Sequence, residues 1–201
     1  MPEPDPRIAF FDHHAAAWDS YGPPAEQLLA RLNDLRPALG LQPGQAVLEV
    51  GCGTGLVTTW LVEQVRPGRV TVLDFSPEMI AHAQARGVQA EFCCADVCAD
   101  DLGQARFDAV WCMHVFPHFR DQAAALRNMT RALRPGGSLI VLHLDSRHAI
   151  NALHDRVGGP ITGDHLPGPD AWAELLRTVG LRQVELIERA DLFFLRASLP
   201  S

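Results

Sequence analysis

The stretch that decides the fold is Glu49-Val50-Gly51-Cys52-Gly53-Thr54-Gly55. It ends a short apolar run, typical of a buried parallel strand, and it precedes a helical pattern. Glycines allow the backbone to turn sharply and to approach a ligand closely, and a helix N-terminus favours an anionic group. The spacing Gly-x-Gly-x-Gly departs from the Gly-x-Gly-x-x-Gly dinucleotide fingerprint, so the loop alone leaves open a tight turn that holds no ligand.

Short strands and helices alternate along the rest of the chain. Strands are predicted at 46–50, 70–73, 89–93, 107–113 and 138–143, and helices at 56–65, 76–86, 121–133, 146–157 and 170–179. The final strands, 184–188 and 192–197, are joined so tightly that we expect an antiparallel pair. This alternation predicts an α/β fold with a mostly parallel sheet and helices on both faces.

Composition limits the class of protein. The chain has 201 residues, which predicts a single domain over 1–201, and 47% hydrophobic with 20% charged residues is ordinary for a globular protein. The net charge, 17 − 24 = −7, disfavours a nucleic-acid partner. No apolar stretch approaches the roughly 20 residues of a membrane span. Five cysteines, an odd number, favour a reducing, cytoplasmic setting, and we expect a monomer or a homodimer.

Three segments outside the sheet are predicted from composition. Residues 1–7 contain three prolines and are expected to form a flexible leader. Residues 8–40 are expected to form a helical lid, to which Trp18 and Tyr21 contribute. Residues 146–169 combine a helix with a stretch rich in glycine and proline, and we expect them to gate an acceptor site.

Two aspartates follow strands that neighbour the glycine loop. Asp74 ends the second predicted strand, 19 residues after Gly55, where an acid can accept hydrogen bonds from both hydroxyls of a ribose. Asp96 follows the third strand, where a carboxylate can accept from the exocyclic amine of an adenine. Either residue could instead cap a helix or lie in a solvated loop. Their common register with the loop favours a nucleoside site.

At these residues the chain resembles the class I S-adenosylmethionine-dependent methyltransferases. The resemblance extends over about Phe10 to Ala197 and includes Leu133-Arg134-Pro135-Gly136-Gly137. It implies a Rossmann-like sheet of seven strands, mostly parallel with the last strand antiparallel, and S-adenosylmethionine as the cofactor. The glycine loop would then face the methionine part, Asp74 the ribose, and Asp96 with Val97 the adenine, with Phe75 packing against the base. The implied cofactor site comprises Glu49, Gly51, Cys52, Gly53, Gly55, Asp74, Phe75, Asp96, Val97 and Met113.

The acceptor side carries a further resemblance. Phe116-Pro117-His118-Phe119, followed by a second histidine-rich segment from His143 to His154, is similar to a small-molecule branch of the family related to the ubiquinone and menaquinone methyltransferases. Phe11-Asp12-His13-His14-Ala15 also matches that branch. The resemblance implies a small-molecule acceptor and leaves its identity open.

The candidate catalytic residues are His118, His143 and His154, with His14 as a fourth and Arg147 as an anion-binding partner. One histidine can act as a general base, since its ordinary pKa near 6.5 suits proton transfer at neutral pH. Alternatively His118, His143 and His154 converge on a divalent metal, or all of them only line the cavity. Arg147 could pair with a carboxylate or phosphate of the acceptor, or with Asp145 or Asp164.

The helix predicted over 146–157 has two stripes. Arg147, Asn151 and His154 share one face, while Ile150, Leu153 and Val157 share another. We therefore expect this helix to close over the acceptor pocket, with Arg147, Asn151 and His154 turned one way.

Two other functions remain open at this stage. A nicotinamide-dependent oxidoreductase can use a similar fold, although the glycine spacing disfavours it. A binding module could also keep the pocket for a cofactor or a metal without turning over an acceptor.

Overall fold

A computed structural model of the protein describes residues 5–201. The helices are α1 (Pro6–His14), α2 (Ala25–Leu39), α3 (Thr58–Val65), α4 (Pro77–Ala85), α5 (Gln122–Ala132), α6 (Arg147–Val157) and α7 (Pro169–Val179). The strands are β1 (Ala46–Val50), β2 (Arg69–Asp74), β3 (Glu91–Cys94), β4 (Phe107–Met113), β5 (Leu133–His143), β6 (Arg182–Arg189) and β7 (Leu192–Ser198). Short 3₁₀ helices cover Ala15–Ser20, Phe116–His118 and Gly159–Ile161.

The strands form one seven-stranded sheet in the order β3-β2-β1-β4-β5-β7-β6. β2 is parallel to both β1 and β3, and β4 is parallel to β5. β7 is antiparallel to both β5 and β6. The Rossmann-like α/β fold with a mostly parallel sheet and an antiparallel last strand is therefore confirmed.

The chain divides into two compact units, the first ending at Ala95 and the second running from Asp96 to Ser201. In the first unit every residue of β1 is buried, as its continuous apolar run predicts. In the second unit the largest fully buried side chains include Trp111, Trp172, Phe116 and Phe193. Each unit thus has a core of its own.

The N-terminal segment differs in part from the prediction. Helix α1 begins at Pro6, because the Asp5 side chain accepts a hydrogen bond from the backbone N–H of Arg7 at 3.0 Å and proline suits the first helical position. Pro6 and Arg7, which were expected in the flexible leader, are therefore helical. The rest of the predicted leader, residues 1–4, lies outside the described residues.

The predicted turn at Pro135-Gly136-Gly137 lies inside β5. The register between β4 and β5 shifts there, from Phe107 opposite Leu133 to Ala109 opposite Ser138. Gly136 has a φ of 80°, a left-handed conformation that favours glycine. The proline and glycines therefore make an irregularity in one long strand, which sequence patterns do not distinguish from a turn.

No helix within 5–201 combines the length and apolar character needed to cross a membrane.

Candidate active site

The glycine loop follows β1 and is held against β2 by its backbone. The N–H of Gly51 donates to the carbonyl of Leu73 at 2.7 Å. Gly53 and Gly55 have φ values of 54° and 77°, which side chains rarely adopt. A Cβ atom at Gly55 would lie 2.8 Å from the Cβ of Ala83 in α4, so the loop can pack this closely only as glycine. The loop geometry therefore depends directly on the glycine pattern.

Asp74 lies at the end of β2 with its carboxylate against the glycine loop. Its Oδ2 accepts from the backbone N–H of Gly53 at 2.9 Å, and its Oδ1 accepts from the N–H of Ser76 at 3.0 Å. Burial raises the pKa of Asp74 to about 6, although the hydrogen bonds from Ser76 and Gly53 oppose this shift. A carboxylate with one backbone donor on each oxygen is fixed in place and retains lone pairs for ligand hydroxyls.

Glu49 lies beside this carboxylate at the end of β1. Its Oε2 accepts a hydrogen bond from the hydroxyl of Thr58 at 2.7 Å, and both residues are buried. Burial raises the pKa of Glu49 to about 8, and the negative charge of Asp74 adds to the effect. Burial likewise raises the pKa of the Cys52 thiol, so this residue keeps its proton within the loop.

The segment after α1 contacts the glycine loop within the first unit. A Cβ atom at Gly53 would lie 3.3 Å from the indole nitrogen of Trp18. Asp19 accepts hydrogen bonds from the hydroxyl of Thr54 and from the guanidinium of Arg86. The Arg86 Nε also donates to the carbonyl of Thr54 at 2.6 Å. This set of contacts connects the N-terminal segment, the loop and the end of α4.

Two other residues of the N-terminal segment reach the end of β2. Asp12 accepts a hydrogen bond from the hydroxyl of Ser76, the N-cap of α4. The ring of Phe11 lies 5.7 Å from that of the half-buried Phe75. Sequence reasoning missed Asp12 and Asp19 as functional candidates, although Asp12 belongs to a motif that the sequence singles out. His14 contacts the hydroxyl of Tyr21 at 3.1 Å.

In the second unit, Asp96 and Val97 follow β3 directly. The Oδ1 of Asp96 accepts from the backbone N–H of Cys98 at 2.7 Å, and its Oδ2 is 2.6 Å from the guanidinium of Arg120. Val97 is buried and its carbonyl accepts from the Asn128 amide at 2.9 Å. These two contacts fix the Asp96 carboxylate at the start of the loop that follows β3.

Four histidines lie near one another in the second unit. His143 at the end of β5 is 1% exposed, and its ring centroid is 5.2 Å from that of His114. Burial lowers the pKa of His143 well below its ordinary value, and the neighbouring His114, His118 and His154 lower it further. Its Nε2 has no hydrogen-bond partner among residues 5–201. Met113, at the end of β4, is also buried.

Asp164 joins two of the predicted histidines. The Nδ1 of His118 is 2.8 Å from the Oδ2 of Asp164, and the Nδ1 of His154 donates to the Asp164 carbonyl. The rings of His118 and His154 are 4.6 Å apart. Burial lowers the pKa of His154. Asp164 lies in the glycine- and proline-rich segment, where its role was missed because sequence separation hides such contacts.

The burial of α6 does not follow its polar and apolar stripes. Ile150 and His154 are its buried residues, whereas Leu153 and Val157 are 46% and 51% exposed. The segment after α6 packs on this helix and brings backbone groups that need polar partners, so Asn151 accepts from the N–H of Leu166 at 2.8 Å. Polar side chains on this face therefore pair with protein backbone.

Arg147 pairs with neither Asp145 nor Asp164. Its Nε lies 3.1 Å from the carboxylate of Glu188 in β6.

The predicted metal centre is not supported either. Within residues 5–201 no three histidine, cysteine, aspartate or glutamate side chains have an arrangement that could hold a metal ion. The rings of His118 and His154 instead bond to the side chain and to the carbonyl of Asp164.

Comparison with known proteins identifies the family. Residues 48–141, from within β1 to within β5, match the family described as a methyltransferase domain. A ubiquinone biosynthesis O-methyltransferase of Xanthomonas axonopodis is 35% identical over 148 residues, covering 68% of this chain and 59% of that protein. The chain belongs to the class I methyltransferases. A malonyl-(acyl-carrier protein) O-methyltransferase of Pseudescherichia vulneris is 32% identical over 142 residues, covering 69% of this chain and 53% of that protein. The methyltransferase chain thus spans between half and three fifths of the length of these two relatives.

Solved structures give the same fold. The N-methyltransferase NodS of Bradyrhizobium japonicum, solved with S-adenosyl-L-homocysteine, has a TM-score of 0.73 at 22% identity and covers 96% of this chain and 98% of that chain. A methyltransferase of Haloferax volcanii, solved with the Trm112 methyltransferase activator, has a TM-score of 0.77 at 21% identity and covers 95% of this chain and 98% of that chain. At these identities the likeness establishes the fold of the methyltransferase.

Proposed function

We propose that this methyltransferase transfers a methyl group from S-adenosylmethionine to an oxygen atom of a small-molecule acceptor. The observation that carries the proposal is the buried Asp74 carboxylate, which accepts one backbone hydrogen bond on each oxygen. It lies against the glycine loop, where Gly55 has no room for a side chain. A carboxylate held in this way suits the two hydroxyls of a ribose.

The charge of the site favours this cofactor over a nicotinamide dinucleotide. Glu49, with a pKa of about 8, keeps its proton at neutral pH and adds no charge. Asp74 and Asp12 are acidic and act on each other electrostatically near the glycine loop. A pyrophosphate in this loop would be repelled by these groups. S-adenosylmethionine instead carries a sulfonium and an ammonium, which the same carboxyl groups attract.

The residues present fit S-adenosylmethionine, part by part. We assign Gly51, Gly53 and Gly55 to the methionine part, where close backbone approach is needed, with Glu49 and Cys52 beside them. Asp74 holds the ribose, and the half-buried Phe75 packs against the base. Asp96 and Val97, with Met113, complete the adenine side.

The acceptor class is inferred from the relatives. Two curated relatives that are 32% and 35% identical to this chain bear the name O-methyltransferase. This chain spans 59% or less of the length of those proteins. We infer a small molecule with a hydroxyl group, which needs no basic surface and agrees with the net charge of −7.

S-adenosylmethionine supplies an electrophilic methyl group on a positively charged sulfur. The work left to the protein is to orient the acceptor, exclude water and remove a proton. The candidates for proton removal are the histidines of the second unit. Arg147 is paired with Glu188, so we assign it to holding α6 against β6.

Calorimetric titration with S-adenosylhomocysteine tests the cofactor assignment. We expect binding to the wild type and a loss of about 100-fold in affinity for Asp74→Asn, since each lost charge-assisted hydrogen bond to a ribose hydroxyl costs about 1.5 kcal/mol. The matched control is Asp34→Asn, an exposed aspartate of α2, which should bind as the wild type does.

A second measurement follows methyl transfer from labelled S-adenosylmethionine to a panel of phenols, alcohols and carboxylic acids. Labelled ether or ester products are expected. Binding of NAD in place of S-adenosylhomocysteine, or equal affinity in wild type and Asp74→Asn, would contradict the proposal.

A further inference from the structure

We infer that His118 is the general base of this reaction and that Asp164 is its positioning residue. The inference rests on the proposed function and names the proton acceptor within it. Its observations all lie in the second unit, where Asp164 connects the 3₁₀ turn after β4 with helix α6.

The contact between the two side chains determines which ring nitrogen can accept a proton. The Nδ1 of His118 is 2.8 Å from the Oδ2 of Asp164, and the two side chains are 10% and 3% exposed. A carboxylate only accepts hydrogen bonds, so the Nδ1 of His118 carries the proton and donates it. In the neutral imidazole the Nε2 then holds the lone pair. This is the arrangement of a base that a carboxylate orients.

Asp164 is itself held from two directions through its backbone. Its carbonyl accepts from the Nδ1 of His154, and its N–H donates to the carbonyl of Ile161 at 3.0 Å. The neighbouring Leu166 is fixed by Asn151 through two hydrogen bonds, one in each direction. Helix α6 therefore fixes the segment that carries the carboxylate, which explains why His154 and Asn151 occupy its inner face.

Several titratable groups lie near His118 besides Asp164. His154 faces it from α6 and His143 acts on it from the end of β5. His114 acts on His143, and His165 acts on His154. Burial lowers the pKa values of His143 and His154 and so favours their neutral forms.

A second histidine–aspartate pair in the same unit provides the contrast. His165 and Asp155 are 2.9 Å apart, but their side chains are 46% and 53% exposed. Both pairs join an imidazole nitrogen to a carboxylate oxygen at 2.8–2.9 Å, through Nδ1 in His118 and through Nε2 in His165, and they differ strongly in burial. A general base needs a carboxylate partner that solvent does not screen, so the exposed pair is the matched control.

The proposed step balances as follows. The Nε2 of His118 takes the proton of the acceptor hydroxyl while the oxygen forms a bond to the methyl carbon. The bond between that carbon and sulfur breaks, and its electron pair stays on sulfur, which changes from a sulfonium to a thioether. The proton on His118 then passes to solvent, so the net products are the methylated acceptor, S-adenosylhomocysteine and one proton.

The first test needs no turnover. Nitrogen-15 spectra of histidine-labelled protein, assigned with His118→Gln, report which ring nitrogen of His118 is protonated. We expect the Nδ1-protonated tautomer in the wild type and in Asp155→Asn, and a loss of that tautomer in Asp164→Asn. A wild-type His118 protonated on Nε2, or the same tautomer in all three proteins, would overturn the inference even if the methyltransferase assignment stands.

The second test is kinetic. Asp164→Asn should lower kcat by about 100-fold or more, as expected for a misoriented base, while KM and the affinity for S-adenosylhomocysteine stay within about threefold. Asp164→Glu, which keeps the charge, should recover part of kcat, and Asp155→Asn should match the wild type. A kcat of Asp164→Asn equal to that of Asp155→Asn would overturn the inference. If S-adenosylhomocysteine fails to bind the wild type, the proposed function fails first, independently of the tautomer.

Discussion

The acidic groups of the first unit and the imidazoles of the second are both buried, and burial acts on them in opposite directions. It raises the pKa of Glu49 to about 8 and that of Asp74 to about 6, whereas it lowers the pKa of His143 and His154. In each case the neutral form is favoured, because a low-dielectric surrounding penalises charge. The two regions differ in the hydrogen-bond partners that they provide for these buried groups.

The carboxyl groups accept hydrogen bonds from neighbouring donors of the first unit. Asp74 accepts from the backbone of the glycine loop and of Ser76, and Glu49 accepts from Thr58. His143, in contrast, has an Nε2 without a hydrogen-bond partner among residues 5–201. The Asp74 carboxylate beside the glycine loop is therefore positioned by backbone hydrogen bonds, while the histidine cluster depends on side chains brought from separate segments.

The largest effect is expected from Glu49→Gln. Since Glu49 keeps its proton up to a pKa of about 8 in the folded protein and ordinarily loses it near 4.5, the folded state loses stability as pH rises through this window. The slope of about 1.4 kcal/mol per pH unit gives a decrease on the order of 5 kcal/mol between these values. Glutamine can accept from Thr58 without charge, so the variant should have a flatter profile.

Urea unfolding at pH 5 and pH 8.5 measures this difference. The control is Glu63→Gln, which removes an exposed carboxylate paired with Arg66 in the same part of the chain. If Glu49→Gln retains the full pH dependence of the wild type, the buried acid does not set the alkaline stability.

A smaller effect of opposite sign is expected from His143→Leu. The unfolded chain binds a proton near pH 6.5 that the buried ring does not, so the wild type loses stability as pH falls below that value. From pH 6.5 to pH 5 the loss is at most about 2 kcal/mol, and the variant should avoid it. At pH 8 the variant should unfold within about 1 kcal/mol of the wild type, since the Nε2 has no bond to lose.

Thermal unfolding across pH 5–8 measures this effect, with the exposed His82→Leu as the control. A wild type and a His143→Leu variant that lose stability equally in acid would remove the contrast between the two regions.

The smallest effect is expected from Asp155→Asn. The hydrogen bond to His165 lowers the pKa of this carboxylate, which favours the folded state above that pKa and is lost on acidification. Because both side chains are exposed, solvent screens the pair and we expect no measurable change in unfolding midpoint at pH 7. A shift comparable to that of His143→Leu would mean that burial is not what separates the two histidine–aspartate pairs.

Part of the fold and of the cofactor side follows from local sequence. The apolar run of β1, the glycines after it and Asp74 after β2 predict a strand, a turn and a ligand-facing acid, because each depends on neighbouring backbone. The acceptor side is predicted only as candidate residues. His118 and Asp164 are 46 residues apart, and Arg147 and Glu188 are 41 apart, so no local pattern connects them.

The sequence by itself therefore determined the alternation of strands and helices and the backbone conformations that only glycine adopts, since these arise from steric limits within a few residues. Tertiary packing selects which face of α6 is buried and places Asp164 between His118 and His154. It also brings Asp12 to Ser76 and Asp19 to Thr54 of the glycine loop. These contacts depend on the packing of distant segments, where burial and hydrogen-bond satisfaction, rather than local periodicity, select the partner.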